Sequence, residues 1–401
     1  MSVLAFINAR LVCPTGGIRE GTLIVDGERI AGVGEAPADA RVIDCGGKVL
    51  APAIIDLGAF AADKAACRAG GIVRVGLMPD QSPVLDDPGI IRRAAMMGKP
   101  ELWVHPFVAA TRGLNGTDLA EVAIAASAGA KAVATGRRWI GDSGTMRKVL
   151  AYARDCGLPV ITHAEDAGLI GDAVATDGLT ATLLGLPSAP AVAEALAVAR
   201  DLMLAEETGA RLHIRQVTTA AALDLVRAAK QRGVAVTCGI TPAHLLLNDM
   251  AVSDFRTFAH LSPPLRSEEN RRACIAAVAD GTIDVIASGH DPRGPEEKRL
   301  PFTDSAPGMA GATTLLALSL GIARDAGIAL DRLFAMLAHA PAQILKINAG
   351  TLQPGMPADL VLLDEAAPWR VGTDAIGNTP FDGMGVQGRV LRVFKGGREI
   401  A

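Results

Sequence analysis

Residues 211–238 read RLHIRQV (211–217), TAAALDLVRAAKQRG (219–233) and VAVTC (234–238). An apolar run leads into an amphipathic helical pattern, which stops at Gly233 before a second apolar run. The same unit recurs on both sides. Further apolar runs are AIIDL (53–57), IVRVGLM (72–78), ELWVHPFV (101–108), KAVAT (131–135), LPVITH (158–163) and IDVIAS (283–288). Helical patterns such as GTMRKVLAYARDCG (144–157) and APAVAEALAVARDLMLAEETG (189–209) separate them. The runs do not alternate polar with apolar residues, which predicts strands covered on both faces, as in a parallel sheet. Eight such units predict an α/β fold, a (β/α)8 TIM barrel over residues 53–345. A doubly wound open sheet is the competitor, but no G-x-G-x-x-G opens a helix after the first strand.

Outside the barrel, the two ends of the chain share one character. LAFINARLV (4–12), GTLIVDGERIAGVG (21–34) and ARVIDCGGKVL (40–50) are strands broken by turn residues, and so are ADLVLLD (358–364) and GRVLRVFKGGREI (388–400). They predict a small composite β-sandwich domain built from residues 1–52 and 346–401. Aromatic residues make up only 3% of the chain, so Ala, Val, Leu and Ile must fill the core. A net charge of −4 gives no basic surface for nucleic acid or for an acidic membrane. No apolar run is long enough to cross a bilayer, and the N-terminal stretch lacks a signal-peptide pattern. The six cysteines (Cys13, Cys45, Cys67, Cys156, Cys238, Cys274) form no C-x-x-C pair. Reduced thiols and a cytoplasmic location are expected.

Barrel chemistry sits at the C-terminal ends of the strands. Those ends carry Asp56 to Ala62, Met78-Pro79-Asp80-Gln81, Thr135-Gly136, His163-Ala164-Glu165-Asp166, Gln216, Ser262-Pro263-Pro264-Leu265-Arg266, and Ser288-Gly289-His290-Asp291-Pro292-Arg293. With GKVLAPAIIDL (47–57), MPDQSPVLDDP (78–88), PPLRSEENR (263–271), APGMAGATT (306–314) and GTLQPGMPADLVLLD (350–364), this layout resembles the dihydroorotase family of the cyclic amidohydrolases. The resemblance implies zinc-dependent, reversible hydrolysis of a cyclic amide, interconverting carbamoyl aspartate and dihydroorotate in pyrimidine biosynthesis. A metal of this kind generates hydroxide near neutral pH and polarises the carbonyl.

Carried over one position at a time, the family's pattern is mostly missing. Gly58 and Phe60 stand where the resemblance implies two histidine ligands, and Ala62 stands where it implies a substrate-binding arginine. Thr135 replaces the bridging carboxylate, Gln216 the histidine of strand six, and Gly289 the catalytic aspartate. Asp80 and Ser262 replace substrate asparagines, and Arg293 replaces a histidine that holds the substrate carboxylate. Only His163 keeps a ligand position, and one imidazole does not make a hydrolytic zinc site.

These losses predict no catalytic residue, no metal and no cofactor. Asp56, Asp80, His163, Ser262, His290, Asp291 and Arg293 would remain as a vestigial pocket, with His163 a core imidazole bonded to a neighbour such as Glu165. Lys131 and the histidines at 105, 213, 244, 260 and 339 read as structural. The function expected on this basis is that of a dihydroorotase-like pseudoenzyme, an assembly partner of aspartate carbamoyltransferase, with a homodimer as a candidate state. The alternative is an active dihydroorotase, or a related cyclic amidohydrolase, with an atypical metal site holding zinc.

Overall fold

The computed structural model describes residues 3–372 and 377–400. Strands β1 (Leu4–Cys13), β2 (Gly17–Asp26), β3 (Arg29–Val33), β4 (Arg41–Asp44) and β5 (Val49–Pro52) open the chain. The barrel follows with β6 (Ile54–Ala59), β7 (Ile72–Leu77), β8 (Trp103–Ala109), β9 (Ala132–Ala134) and β10 (Val160–Thr162). A two-stranded excursion, β11 (Ala175–Thr176) and β12 (Ser188–Ala189), precedes β13 (Leu212–Ile214), β14 (Val236–Ile240) and β15 (Val285–Ile286). The chain ends in β16 (Leu360–Arg370), β17 (Gly385–Lys395) and β18 (Arg398–Glu399).

The barrel strands lie in chain order from β6 to β15, every neighbouring pair parallel, as the apolar runs predict. No backbone ladder joins β6 to β15. The seam is held instead by the buried Asp56 carboxylate, which accepts hydrogen bonds from the Ser288 N–H at 2.8 Å and from the Ser288 hydroxyl. The Phe60 N–H also crosses the seam, to the His290 carbonyl at 2.8 Å. With few aromatics available, Phe107 fills the barrel interior. Its ring lies where a Cβ on Gly76 would be 2.4 Å from Cζ, so residue 76 has no room for a side chain.

Helices cover the outside, and their starts follow from local chemistry. Asp87 caps Pro88–Met96, Asp142 caps Ser143–Asp155, Thr219 caps Ala220–Gln231 and Ser267 caps Glu268–Asp280, each accepting a first-turn N–H. The terminal strands form one sheet in the order β18-β17-β16-β5-β1-β2-β3, with β4 also beside β1. That sheet forks along β1, which pairs with β4 over Leu4–Ile7 and with β5 over Arg10–Leu11. It bends over its own core, where Phe6 meets Phe394 edge-on at 4.9 Å. Among the described residues, no helix is long and apolar enough to cross a membrane.

Candidate active site

A cavity of about 170 Å³ opens at the C-terminal mouth of the barrel. Its walls include Phe60, Arg137, Arg215, Gln216, Ser262 and Asp291. An apolar cavity of ~150 Å³ accepts benzene, so this volume suits one substituted six-membered ring.

Arg215 follows β13 and points into the mouth. It is 5% exposed, yet no carboxylate among the described residues lies within ion-pair distance of it. One guanidinium nitrogen approaches His163 Nδ1 at a long 3.4 Å, and Nε has no partner. Burial lowers its pKa to about 10, so it stays charged at neutral pH. The Phe60 ring is shared by two cations, with the Arg137 guanidinium carbon 4.0 Å and that of Arg215 4.9 Å from its centre. Next in sequence, Gln216 is also buried, and its Oε1 accepts from nothing.

His163 stands behind this wall. Its Nε2 donates to Glu165 Oε2 at 3.0 Å, which leaves Nδ1 as the lone-pair nitrogen facing Arg215. Glu165 is fixed by Arg266 at 2.9 Å, and Arg266 also binds Thr218, Thr176 and Glu194. Burial opposes charge on Glu165, but His163 and Arg266 together outweigh it and hold the carboxyl below its usual range. The Ser262 hydroxyl lies 3.5 Å from His163 Nε2, the same nitrogen that Glu165 uses. A serine nucleophile needs its acid on the opposite ring nitrogen, so these three residues do not form a triad. His244 lines the cavity with both nitrogens engaged, by Thr241 Oγ1 at 2.8 Å and the Pro263 carbonyl at 3.0 Å. Burial lowers its pKa to about 4.

The structure divides the residues singled out in the sequence. Ser262 and Asp291 line the cavity. Asp291 is doubly paired, bidentate with Arg137 at 2.8 and 3.0 Å and with Arg293 at 2.9 Å. Arg293 also donates to the Pro307 carbonyl at 2.8 Å, so it works as a strut. The backbone N–H of Arg137 donates to Asp80 Oδ1 at 3.0 Å, while Asp80 Oδ2 is buried without a partner. Asp56 seals the seam. His290 is sealed beside it, its Nδ1 accepting from the Ala312 N–H at 3.3 Å. The sequence points to Arg266 only as part of the PPLRSEENR stretch, and it gives no sign of Arg215, Arg137 or Glu194.

The donor set does not fit a zinc centre of the family's kind. A Cβ on Gly58 would lie 3.1 Å from Arg215 Cδ, so the arginine stem takes the space of a side chain there. Gly289 has φ +62°, and a Cβ on it would lie 2.9 Å from Thr241 Cγ2. The Thr135 hydroxyl is occupied by the His163 N–H at 3.1 Å, and His163 Nε2 by Glu165. Among the described residues, no group of three His, Cys, Asp or Glu side chains is placed to hold a metal ion.

Comparison with known proteins gives this mouth its context. Residues 102–400 match the amidohydrolase family. A dihydroorotase from Syntrophotalea carbinolica is 37% identical, covering 98% of this chain and 97% of its own. One from Anaeromyxobacter dehalogenans is also 37% identical, covering 100% and 98%. The L-hydantoinase of Arthrobacter aurescens has the same fold, with a TM-score of 0.89 at 23% identity over 100% of this chain and 96% of its own.

These relatives overturn the expected non-catalytic partner of aspartate carbamoyltransferase. Full-length similarity at 35–37% joins the chain to proteins named dihydroorotase and supports an enzyme. The physical error lay in reading lost ligands as decay. A drifting pocket would not pack an arginine stem against Gly58 or interlock Asp291 with two guanidiniums. The expectation of no cofactor has no support from the relatives either, because the family that the resemblance names uses zinc.

Proposed function

The chain belongs to the amidohydrolase family, and we propose that it is a cyclic amide hydrolase acting on a six-membered ureide of the dihydroorotate class. The observation that carries this reading is the ring-sized cavity whose wall holds Arg215 and Gln216, adjacent residues that each keep one buried polar atom without a partner in the protein. Arg215 Nε is a donor without an acceptor, and Gln216 Oε1 is an acceptor without a donor. A ureide offers a carbonyl and an N–H side by side, which is the complement of that pair. Buried groups left unmatched cost ~1–3 kcal/mol each, so a ligand that satisfies both gains affinity and orientation.

In this reading Gln216 orients the ring through its N–H. His163 Nδ1 braces the Arg215 guanidinium from behind while Glu165 holds the imidazole through Nε2–H, and water adds to the ring carbonyl from the open mouth, losing a proton there. The ring C–N bond then breaks, and the proton passes to the departing nitrogen, giving the open-chain carbamoyl amino acid. No step is assigned to a metal.

The test follows dihydroorotate hydrolysis by the purified protein and its variants. Gln216→Leu is expected to lower kcat/KM by about tenfold or more, as loss of one buried hydrogen bond to substrate would. His163→Gln is expected to lower kcat with little effect on KM. Wild-type protein that opens no ring, with or without added zinc, refutes the reading.

A further inference from the structure

The most unusual group in the molecule is the buried guanidinium of Arg215. Elsewhere the buried arginines are neutralised at close range. Arg74 pairs with Asp359 at 2.6 Å, and Arg266 with Glu165 at 2.9 Å. Arg215 has no such partner, although Asp291, Asp80 and Glu165 attract it from farther away and Arg137 repels it. An uncompensated buried cation is costly. It persists where something outside the chain neutralises it.

We propose that Arg215, set against Arg137 across the Phe60 ring, forms a carboxylate-binding site that the chain carries in place of a metal centre. Gly58 favours the site, because a Cβ there would press on the Arg215 stem at 3.1 Å where it runs across the end of β6. Phe60 gives both guanidiniums a flat, water-excluding shelf. Arg137 is already neutralised by Asp291 and forms the wall, so the free charge is that of Arg215. A guanidinium edge binds a carboxylate through parallel N–H donors. The ligand class is a small flat ring bearing one carboxylate. The Gln216 acceptor beside it selects for a ring N–H. This inference rests on the reading that a dihydroorotate-class ring enters the mouth, but it concerns binding and not ring opening.

The experiment is calorimetric titration of the full chain, treated with a chelator, with orotate and with uracil. Both are flat ureide rings that this chemistry does not open, and they differ by the carboxylate. The wild type is expected to bind orotate at least tenfold more tightly than uracil without metal. Arg215→Met should erase that preference while its melting temperature stays the same or rises, since an unpaired buried charge has been removed. Arg215→Lys should keep part of the preference. Equal affinity for the two rings, or no binding of either, overturns the proposal. So does orotate binding that disappears on chelation and returns with zinc. An Arg215→Met chain that melts lower or fails to fold makes the arginine a structural strut and also overturns it. An orotate preference without dihydroorotate turnover would leave this site standing and defeat the hydrolase reading. Turnover without the preference would do the reverse.

Discussion

Gly58 and Arg215 compete for one volume, and the mouth is arranged around that competition. Gly58 has φ +94°, where a side chain is strained by about 1 kcal/mol even in open space. The added Cβ would also meet Arg215 Cδ at 3.1 Å and Cγ at 3.4 Å. Gly58→Ala is therefore expected to destabilise the protein by about 1–3 kcal/mol. The cost should be smaller in an Arg215→Ala background, by about 0.5 kcal/mol or more in a double-mutant cycle by urea unfolding. Strict additivity would mean that the arginine stem does not fill that space. The missing histidine at position 58 was plain in the sequence, but its consequence was not. Residues 212–217 are buried throughout, so no alternation shows which of them face the barrel interior. Arg215 stood unnoticed beside Gln216 for that reason.

The strands and helices were largely legible because their ends are written in local chemistry. The Asp86-Asp87-Pro88 run becomes a helix start, with Asp87 accepting from the Gly89 and Ile90 N–H groups. All eight barrel strands fall within the apolar runs or overlap them closely. What local chemistry does not encode is how the barrel closes, because that joins residues 232 positions apart. Asp56 makes the closure. Burial raises its pKa against the pull of Ser288 and His290. Asp56→Ala would leave the buried Ser288 N–H unpaired, at a cost of about 1–3 kcal/mol. The loss should appear as faster amide exchange at Ser288 and Phe60, with exchange within β8 to β10 unchanged. Uniformly unchanged exchange would show that the seam does not depend on this carboxylate. The buried network of Glu165, Arg266 and Glu194 was equally hidden, since its members lie 29 to 101 positions apart.

At the scale of the whole molecule, the buried histidines set an acid limit. Desolvation lowers the pKa of the half-buried His105 and the buried His213 to about 3 and of the buried His244 and His260 to about 4, from an ordinary value of 6.5. The unfolded chain therefore takes up protons below pH 6.5 that the folded chain refuses. Stability should fall as pH drops from about 6.5 towards 4. Glu165, depressed in the fold, adds loss of the same sign at lower pH, below its unfolded value. Urea midpoints at pH 7.5, 6 and 5 are expected to decline in order, and a flat series would contradict four neutral, desolvated imidazoles. Function belongs to this scale too, because the mouth draws on residues that follow β6, β9, β13, β14 and β15. The central claim is that this mouth opens a cyclic ureide. The most direct measurement is the conversion of dihydroorotate to carbamoyl aspartate by the purified full chain, with chelator in one arm and zinc in the other. The account predicts turnover above the buffer rate. A rate equal to buffer in both arms would contradict it.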